Sequence, residues 1–433
     1  MNCKNVWKWH TSIFAVVLVA GSASGKVAAA QTESVLYSFQ GSSDGSAPWS
    51  VLVADETGNL YGTTVQGGYY GYGTVFELTP PHGASSAWTE TVLYSFQGGN
   101  DGALPYSGLV FDEAGNLYGT TSGGGNEQAC FECGTVFRLA PPATAGGSWT
   151  ETVLYTFGVT TTDAAIPYAG LIIDDDGNLF GTTRAGGDSF EGTVFELSAP
   201  DDPGGNWHER ILYSFTGGND GGLPQGGVVR KSGALYGTTI AGGAFGYGTV
   251  FQLTRPGGHG PWSENVLYSF TGGVDGGEPF GTPVFDRSGR LFGTTATAGN
   301  AGCGGIGCGT VFQLSPASAG WSASTLYSFT GNSDGGSPLS TLIIDRSGAL
   351  FGTAAIGGNM NQNCNALSNQ CGTVFELKPS SGGWVETTLH SFNGTPDGYY
   401  PVAGLLFHQG SLYGTASSGG DAVGDGVVFQ IKP

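Results

Sequence analysis

Basic side chains are scarce in this sequence: 14 lysines and arginines face 34 aspartates and glutamates, a formal net charge of −20. A chain so short of cations has little with which to neutralise phosphates, which excludes nucleic acid and anionic lipid as partners. Charged residues of either sign reach only 11% while aromatics reach 12%, the reverse of a disordered composition, so the chain can bury a core. The 80 glycines follow no Gly-X-Y period, which rules out a collagen-like rod. No H-E-x-x-H zinc motif and no phosphate-binding loop occurs. The histidines His82, His208, His259, His390 and His408 recur with no repeated acid partner.

Long apolar runs are missing as well, with one exception. The N-terminus carries Lys4 and Lys8, the apolar stretch Ile13 to Ala20, then Ala28-Ala29-Ala30. This layout predicts a secretory signal peptide over residues 1–30, cleaved after Ala30. The stretch falls well short of the roughly 20 residues that span a bilayer. The mature chain is therefore expected to be secreted and soluble, extracellular or periplasmic, with no membrane insertion. Cleavage removes Lys4, Lys8 and Lys26 and no acid, so the charge moves from −20 to −23 (−20 − 3). A surface of that sign favours a soluble monomer and draws cations.

What the sequence has in abundance is repetition. "NLYGTT" at 59–64 returns at 116–121, and as "NLFGTT" at 178–183, "ALYGTT" at 234–239, "RLFGTT" at 290–295, "ALFGTA" at 349–354 and "SLYGTA" at 411–416. The leucine recurs at intervals of 57, 62, 56, 56, 59 and 62 residues (from 60 to 412). Around it the order of smaller phrases is constant. In residues 91–157, "TVLYSF" leads through "QGGNDGALP" to "YSGLVFD", then "NLYGTT", a Gly-rich loop, "GTVFRL" and the next "WTETVLYTF". Each apolar phrase is short and bounded by Gly, Asp or Pro, the signature of a strand. Four strands per unit and seven units predict an all-β, seven-bladed β-propeller of four antiparallel strands per blade. Trp88, Trp149, Trp207, Trp262, Trp321 and Trp384 recur just before the outermost strand and are expected to pack at blade edges.

The phase of the repeat predicts how the ring closes. "QTESVLYSF" at 31–39 aligns with "WTETVLYSF" at 88–96, whereas the last unit stops at "GVVFQIKP" without that strand. The N-terminal strand is therefore expected to complete the last blade. A single domain over 31–433 follows, with blades at about 40–96, 97–157, 158–215, 216–270, 271–329, 330–392, and 393–433 joined by 31–39.

The phrases "NLYGTT…GG…GTVF", with "VLYSF…DG" beside them, resemble the GloVer tandem-repeat family of exported bacterial proteins, over the whole mature chain. Members of that family often carry a C-terminal surface anchor. Here Pro433 follows the last strand directly, so a chain without its own anchor is expected. The resemblance implies no catalytic motif.

Loops joining an outermost strand to the next innermost one share a ring face with those before "GTVF". The latter vary most and carry aromatics, and variable loops on a rigid scaffold are where binding is usually found. The residue after each recurring proline enters the innermost strand: Trp49, Tyr106, Tyr168, Gln225, Phe280, Leu339 and Val402. Trp49, Tyr106, Tyr168 and Phe280 are thus expected to ring the central opening as candidate ligand-binding residues. Tyr69, Tyr70, Tyr72 and Tyr247, with Phe131, Phe190 and Phe245, would extend the platform outward. Aromatic faces at a polar rim suit stacking on sugar rings.

The "DG" aspartates Asp44, Asp101, Asp220, Asp275, Asp334 and Asp397, with Asp163 as the divergent seventh, read as turn caps or as sites for a cation such as calcium. One acid per loop falls short of calcium's oxygen count, so neither cofactor nor metal is expected. After Cys3 leaves with the signal peptide, six cysteines pair by loop into the expected disulfides Cys130–Cys133, Cys303–Cys308 and Cys364–Cys371. The functional expectation is a non-catalytic binder of extracellular material, a glycan or a surface protein. The rivals are a polysaccharide lyase or glycosidase on the same fold, and a structural or protein-interaction component of the cell surface.

Overall fold

A computed structural model describes residues 32–432 except 84–86, 126–132, 145, 161, 201, 203–204, 256, 258–259, 319, 360–363, 365–370 and 422. The expected signal peptide, Cys130, Phe131 and His259 lie outside the described residues. Among those described, seven four-stranded antiparallel sheets account for the architecture, with one small ribbon pairing Ala164–Ala165 to Ala185–Gly186. Blade 1 runs outward through Val53–Ala54, Leu60–Thr64, Thr74–Thr79 and Thr89–Ser95. Blades 2 to 6 repeat that order. Blade 7 has Leu406–His408, Ser411–Ala416 and Val427–Lys432, and its outermost place is taken by Thr32–Ser38. Thr32 pairs with Lys432 and Ser38 with Val427, so the chain's first strand closes the seven-bladed propeller.

Burial is greatest at the second strand of each blade and falls from there toward the outermost, and it explains the sequence of each strand. The second strand is buried at every residue, Leu60 to Thr64 being the first case. A strand covered on both faces has no use for alternation and needs its polar groups satisfied internally. Its first threonine does this across the seam: Thr63 Oγ1 donates to the Pro105 carbonyl at 2.9 Å in the next blade, and Thr182 to Gly226 at 2.9 Å. Thr415 reaches Ser50 at 3.3 Å and carries the same bond across the closure. The second threonine bonds within the blade, as Thr64 does to Thr74 at 2.8 Å. In blade 7 both members of that pair are replaced, by Ala416 and Val427, so no hydroxyl is stranded.

The glycine of the phrase has a packing reason. A methyl group on Gly62 would stand 2.7 Å from the Phe76 ring and 2.8 Å from Leu52, because the tip of the "GTVF" phenylalanine ring comes up against that backbone. Phe76 in turn meets Phe39 from the preceding blade edge-on at 5.1 Å, a contact repeated at every seam down to Phe392 with Phe429 at 5.1 Å. The tryptophans also bridge seams. Trp149 packs on Tyr61, Trp207 on Tyr118 and Trp384 on Phe292, each reaching back to the preceding blade. Seven buried clusters therefore lie between blades, not inside them, and no blade holds a core alone.

Candidate functional site

At one end of the ring the residue before each recurring proline adopts a left-handed backbone. Ala47, Leu104, Ile166, Leu223, Glu278, Ser337 and Tyr400 have φ between 48° and 61°. A side chain rarely takes that conformation, so something must hold it. Two backbone hydrogen bonds do. The N–H of Leu104 donates to Tyr72 of the preceding blade at 3.0 Å, and its carbonyl accepts from Ser122 of its own blade at 3.1 Å. The same pair recurs from Ala47, bonded to Asp425 and Val65, to Tyr400, bonded to Cys371 and Ser417. The kink turns the chain so that the residue after the proline heads toward the axis.

The outcome is a cup of about 500 Å³ lined by Trp49, Tyr106, Tyr168, Gln225, Phe280 and Leu339. It continues into a cavity of about 360 Å³ between the innermost strands. The four aromatic residues expected at the opening are therefore brought together. Three form a continuous arc, with Trp49 edge-on to Tyr106 at 5.3 Å and Tyr106 tilted against Tyr168 at 4.8 Å.

Of the further lining residues, all of which escaped the sequence reading, Tyr400, Arg184 and Glu278 carry an aromatic ring or a charge. Tyr400 extends the arc, its ring 6.2 Å from Trp49, and burial raises its phenol pKa. It stands in for Val402, which is buried in the wall below. Its signal was the tyrosine before proline in "GYYP". Arg184 and Glu278 are charged residues in repeat columns that are otherwise uncharged: Val65, Ser122, Ile240 and Ala296 for the first, Ala47, Leu104 and Ile166 for the second.

The outer aromatic residues do not join this cup. Tyr69 and Tyr70 are exposed on the loop of blade 1, edge-on to each other at 4.8 Å. Tyr72 covers Gly98, and Tyr247 covers Gly272 and Gly277, so both lie over the turn of the next blade. None of the four is among the cup's lining residues.

The "DG" aspartates sit at the seams. Asp101 accepts from the Tyr94 hydroxyl at 2.6 Å and from the Gln97 N–H at 2.6 Å, tying the preceding outermost strand to the turn. Asp44, Asp163, Asp220, Asp275 and Asp334 bind Tyr37, Tyr155, Tyr213, Tyr268 and Tyr327 in the same way. At the last seam the tyrosine is replaced, and Asp397 is 2.9 Å from the His390 Nε2. The letters G-x-S-x-G occur at Gly41–Gly45 and Gly331–Gly335, but they form these turns, and no helix follows to raise a nucleophile. Six of the seven seams have a second acid that sequence reading left aside, the exception having Ala323 in that place. Burial raises the pKa of Glu90, Glu151, Glu209 and Glu264 to about 7, and the neighbouring aspartate adds to it. Their Oε1 atoms are buried without a hydrogen-bond partner.

Seven copies of one seam, built from the same phrases, are a family trait, and a repeat profile matches residues 22–217 and 172–429. The chain belongs to the Gloeobacter/Verrucomicrobia repeat family. The Gloeobacter/Verrucomicrobia repeat phrases quoted above thus map onto seam contacts, and the cup is built from the residues between them. Two cysteine pairs in the repeat's variable loops, Cys303–Cys308 and Cys364–Cys371, are disulfide-bonded. Cys133 lies buried, while its expected partner Cys130 is outside the described residues. In each loop the second cysteine supplies the carbonyl that holds the next blade's kink, as Cys308 does for Ser337 at 2.8 Å.

No curated protein matches the chain. Among solved structures, a polysaccharide lyase of family PL25, an ulvan lyase bound to a GlcA(1-4)Rha3S saccharide, is 10% identical, with 90% of this chain and 94% of that one covered and a TM-score of 0.44. A Trichoderma reesei carbohydrate-active enzyme of family AA12 is 13% identical over 93% and 96%, with a TM-score of 0.42. A protein of unknown function from Dyadobacter fermentans is 12% identical over 92% and 97%, with a TM-score of 0.41. Likenesses at this level say nothing of this chain's ligand.

Proposed function

We propose that the protein is an exported, non-catalytic propeller that binds a glycan in its cup. The arc Tyr400–Trp49–Tyr106–Tyr168 carries this reading. Four aromatic residues from consecutive blades present a concave apolar surface, and Gln225, Arg184 and Glu278 stand in the same wall as hydrogen-bonding groups. A sugar ring needs that mixture: apolar C–H faces against aromatics and hydroxyls against polar side chains. The two disulfides and the N-terminal signal layout support export to an oxidising compartment. N-terminal sequencing of secreted protein should begin at Gln31, and a start elsewhere counts against the proposed cleavage.

The test is retention of the mature protein on a panel of immobilised polysaccharides, with Trp49→Ala and Tyr106→Ala alongside. Each variant is expected to keep its circular dichroism spectrum and to bind at least about tenfold more weakly, ~1.4 kcal/mol. Retention that neither variant changes would move the site away from the cup. Release of new reducing ends during incubation would favour the lyase or glycosidase reading, with Glu278→Gln as the first variant to examine.

A further inference from the structure

We propose that the seam between blades 6 and 7 is a transition-metal site, with His390, Asp397 and Glu33 as its protein ligands and a zinc(II)-class cation as its occupant. The cup plays no part in it, and its test is independent of glycan binding.

The argument starts from what the other seams hold. In six of the seven, a tyrosine hydroxyl from one outermost strand meets the "DG" aspartate. A glutamate from the next blade's outermost strand stands beside that aspartate in five of these, the exception being Ala323. Those seams offer oxygens only, and burial raises the tyrosine pKa, which keeps the phenol a donor and not a ligand. The last seam keeps both acids, Asp397 and Glu33, but replaces the tyrosine by His390. A phenol that can only hydrogen-bond gives way to an imidazole nitrogen that can coordinate.

The geometry suits that change. One ligand atom from each of Glu33, His390 and Asp397 lies within 4.8 Å of the others, and this is the one such group among the described residues. Oε1 of Glu33 is buried with no hydrogen-bond partner. Asp397 is oriented from behind by the Asn393 N–H at 3.0 Å, the kind of outer contact that fixes a metal ligand. Zinc takes such nitrogens and oxygens at about 2.0–2.2 Å, placing ligand atoms roughly 3.4 Å apart, so the Glu33 side chain must close in by about an ångström. One nitrogen and two carboxylates suit zinc or manganese better than calcium, which takes 6–8 oxygens. Three protein ligands leave a position for water. Because Glu33 lies on the strand that closes the ring and His390 on blade 6, the cation would tie that strand to the neighbouring blade.

The experiment uses the full mature chain after EDTA treatment and dialysis, titrated with ZnCl2 by calorimetry and with CoCl2 by visible absorption. The expected result is one equivalent of either ion per chain, a cobalt d–d spectrum, and a Tm rise of about 1–3 °C at saturating zinc. His390→Tyr installs the residue that the other seams carry, so it is expected to fold while losing the cobalt spectrum and the Tm rise. Glu33→Gln provides a second variant, which should weaken binding at least about tenfold, ~1.4 kcal/mol. Absence of saturable binding to the wild-type chain overturns the proposal. So does binding that both variants leave unchanged.

Discussion

Individual residues in this ring are constrained chiefly by what the next blade places against them. Gly62 is one such case, since any side chain there must displace Phe76 and Leu52 together. Gly62→Ala is expected to destabilise by about 1–3 kcal/mol, measurable as a lower denaturation midpoint at unchanged m-value. Tyr400→Ala is the matching experiment in the cup. It should leave the Tm within a few degrees while weakening any ligand that Trp49→Ala also weakens, because both rings belong to one arc. Legibility at this scale divided along the repeat register. Trp49, Tyr106, Tyr168 and Phe280 were found because the proline before each one fixes its place. Tyr400 was not, because it sits two positions earlier, before the proline, and only the left-handed kink turns that residue inward as well. Tyr69 and Tyr70 lie outside the cup, and an aromatic residue in a glycine loop carries no information about its distance from the axis.

Among the strands, the outermost ones set the response to pH. Their glutamates look solvent-facing in "TETVLY", yet the ring folds Glu90, Glu151, Glu209 and Glu264 each against an aspartate some 44 to 50 residues away (220 to 264, 101 to 151). No alternation within one strand could have revealed this. The raised value near 7, against about 4.5 for an unperturbed carboxyl, means the folded state favours the proton more than the unfolded chain does. Their contribution to stability is complete below about pH 4.5 and is lost as pH rises through about 7. The turn aspartates act in the other direction. Burial opposes ionisation of Asp275, but hydrogen bonds from Thr271 and Tyr268 outweigh it and lower its pKa. Asp286 and Asp345 are lowered in the same manner by hydrogen bonds within their hairpin turns. Their contribution is present above about pH 4 and is lost as acid protonates them. Tm should therefore peak in mildly acidic solution and decline toward pH 8. Glu90→Gln is expected to raise Tm at pH 8 and to change little at pH 5, and a scan of both proteins from pH 4 to 8 checks it.

For the whole molecule, blade number and closure were legible because a ring of equal units repeats its own phrases. The fold contains little that the phrases do not, apart from the Ala164–Gly186 ribbon beside the divergent third loop. Reducing Cys303–Cys308 and Cys364–Cys371 should lower stability by only about 2 kcal/mol each, given loops of this length. Deleting Thr32–Ser38 should be far more damaging, since Val427–Lys432 becomes an open edge. Loss of a cooperative thermal transition, with aggregation, is the expected readout. That closure also has a consequence in time. Thr32 and Lys432 are partners 400 residues apart (432 − 32), so the first strand made waits for the last. At roughly 5–20 residues per second, synthesis alone holds that strand unpaired for about 20–80 s. Through that interval the nascent chain carries the apolar strand "SVLYSF" without its partner, and every other blade can be finished before the ring is shut.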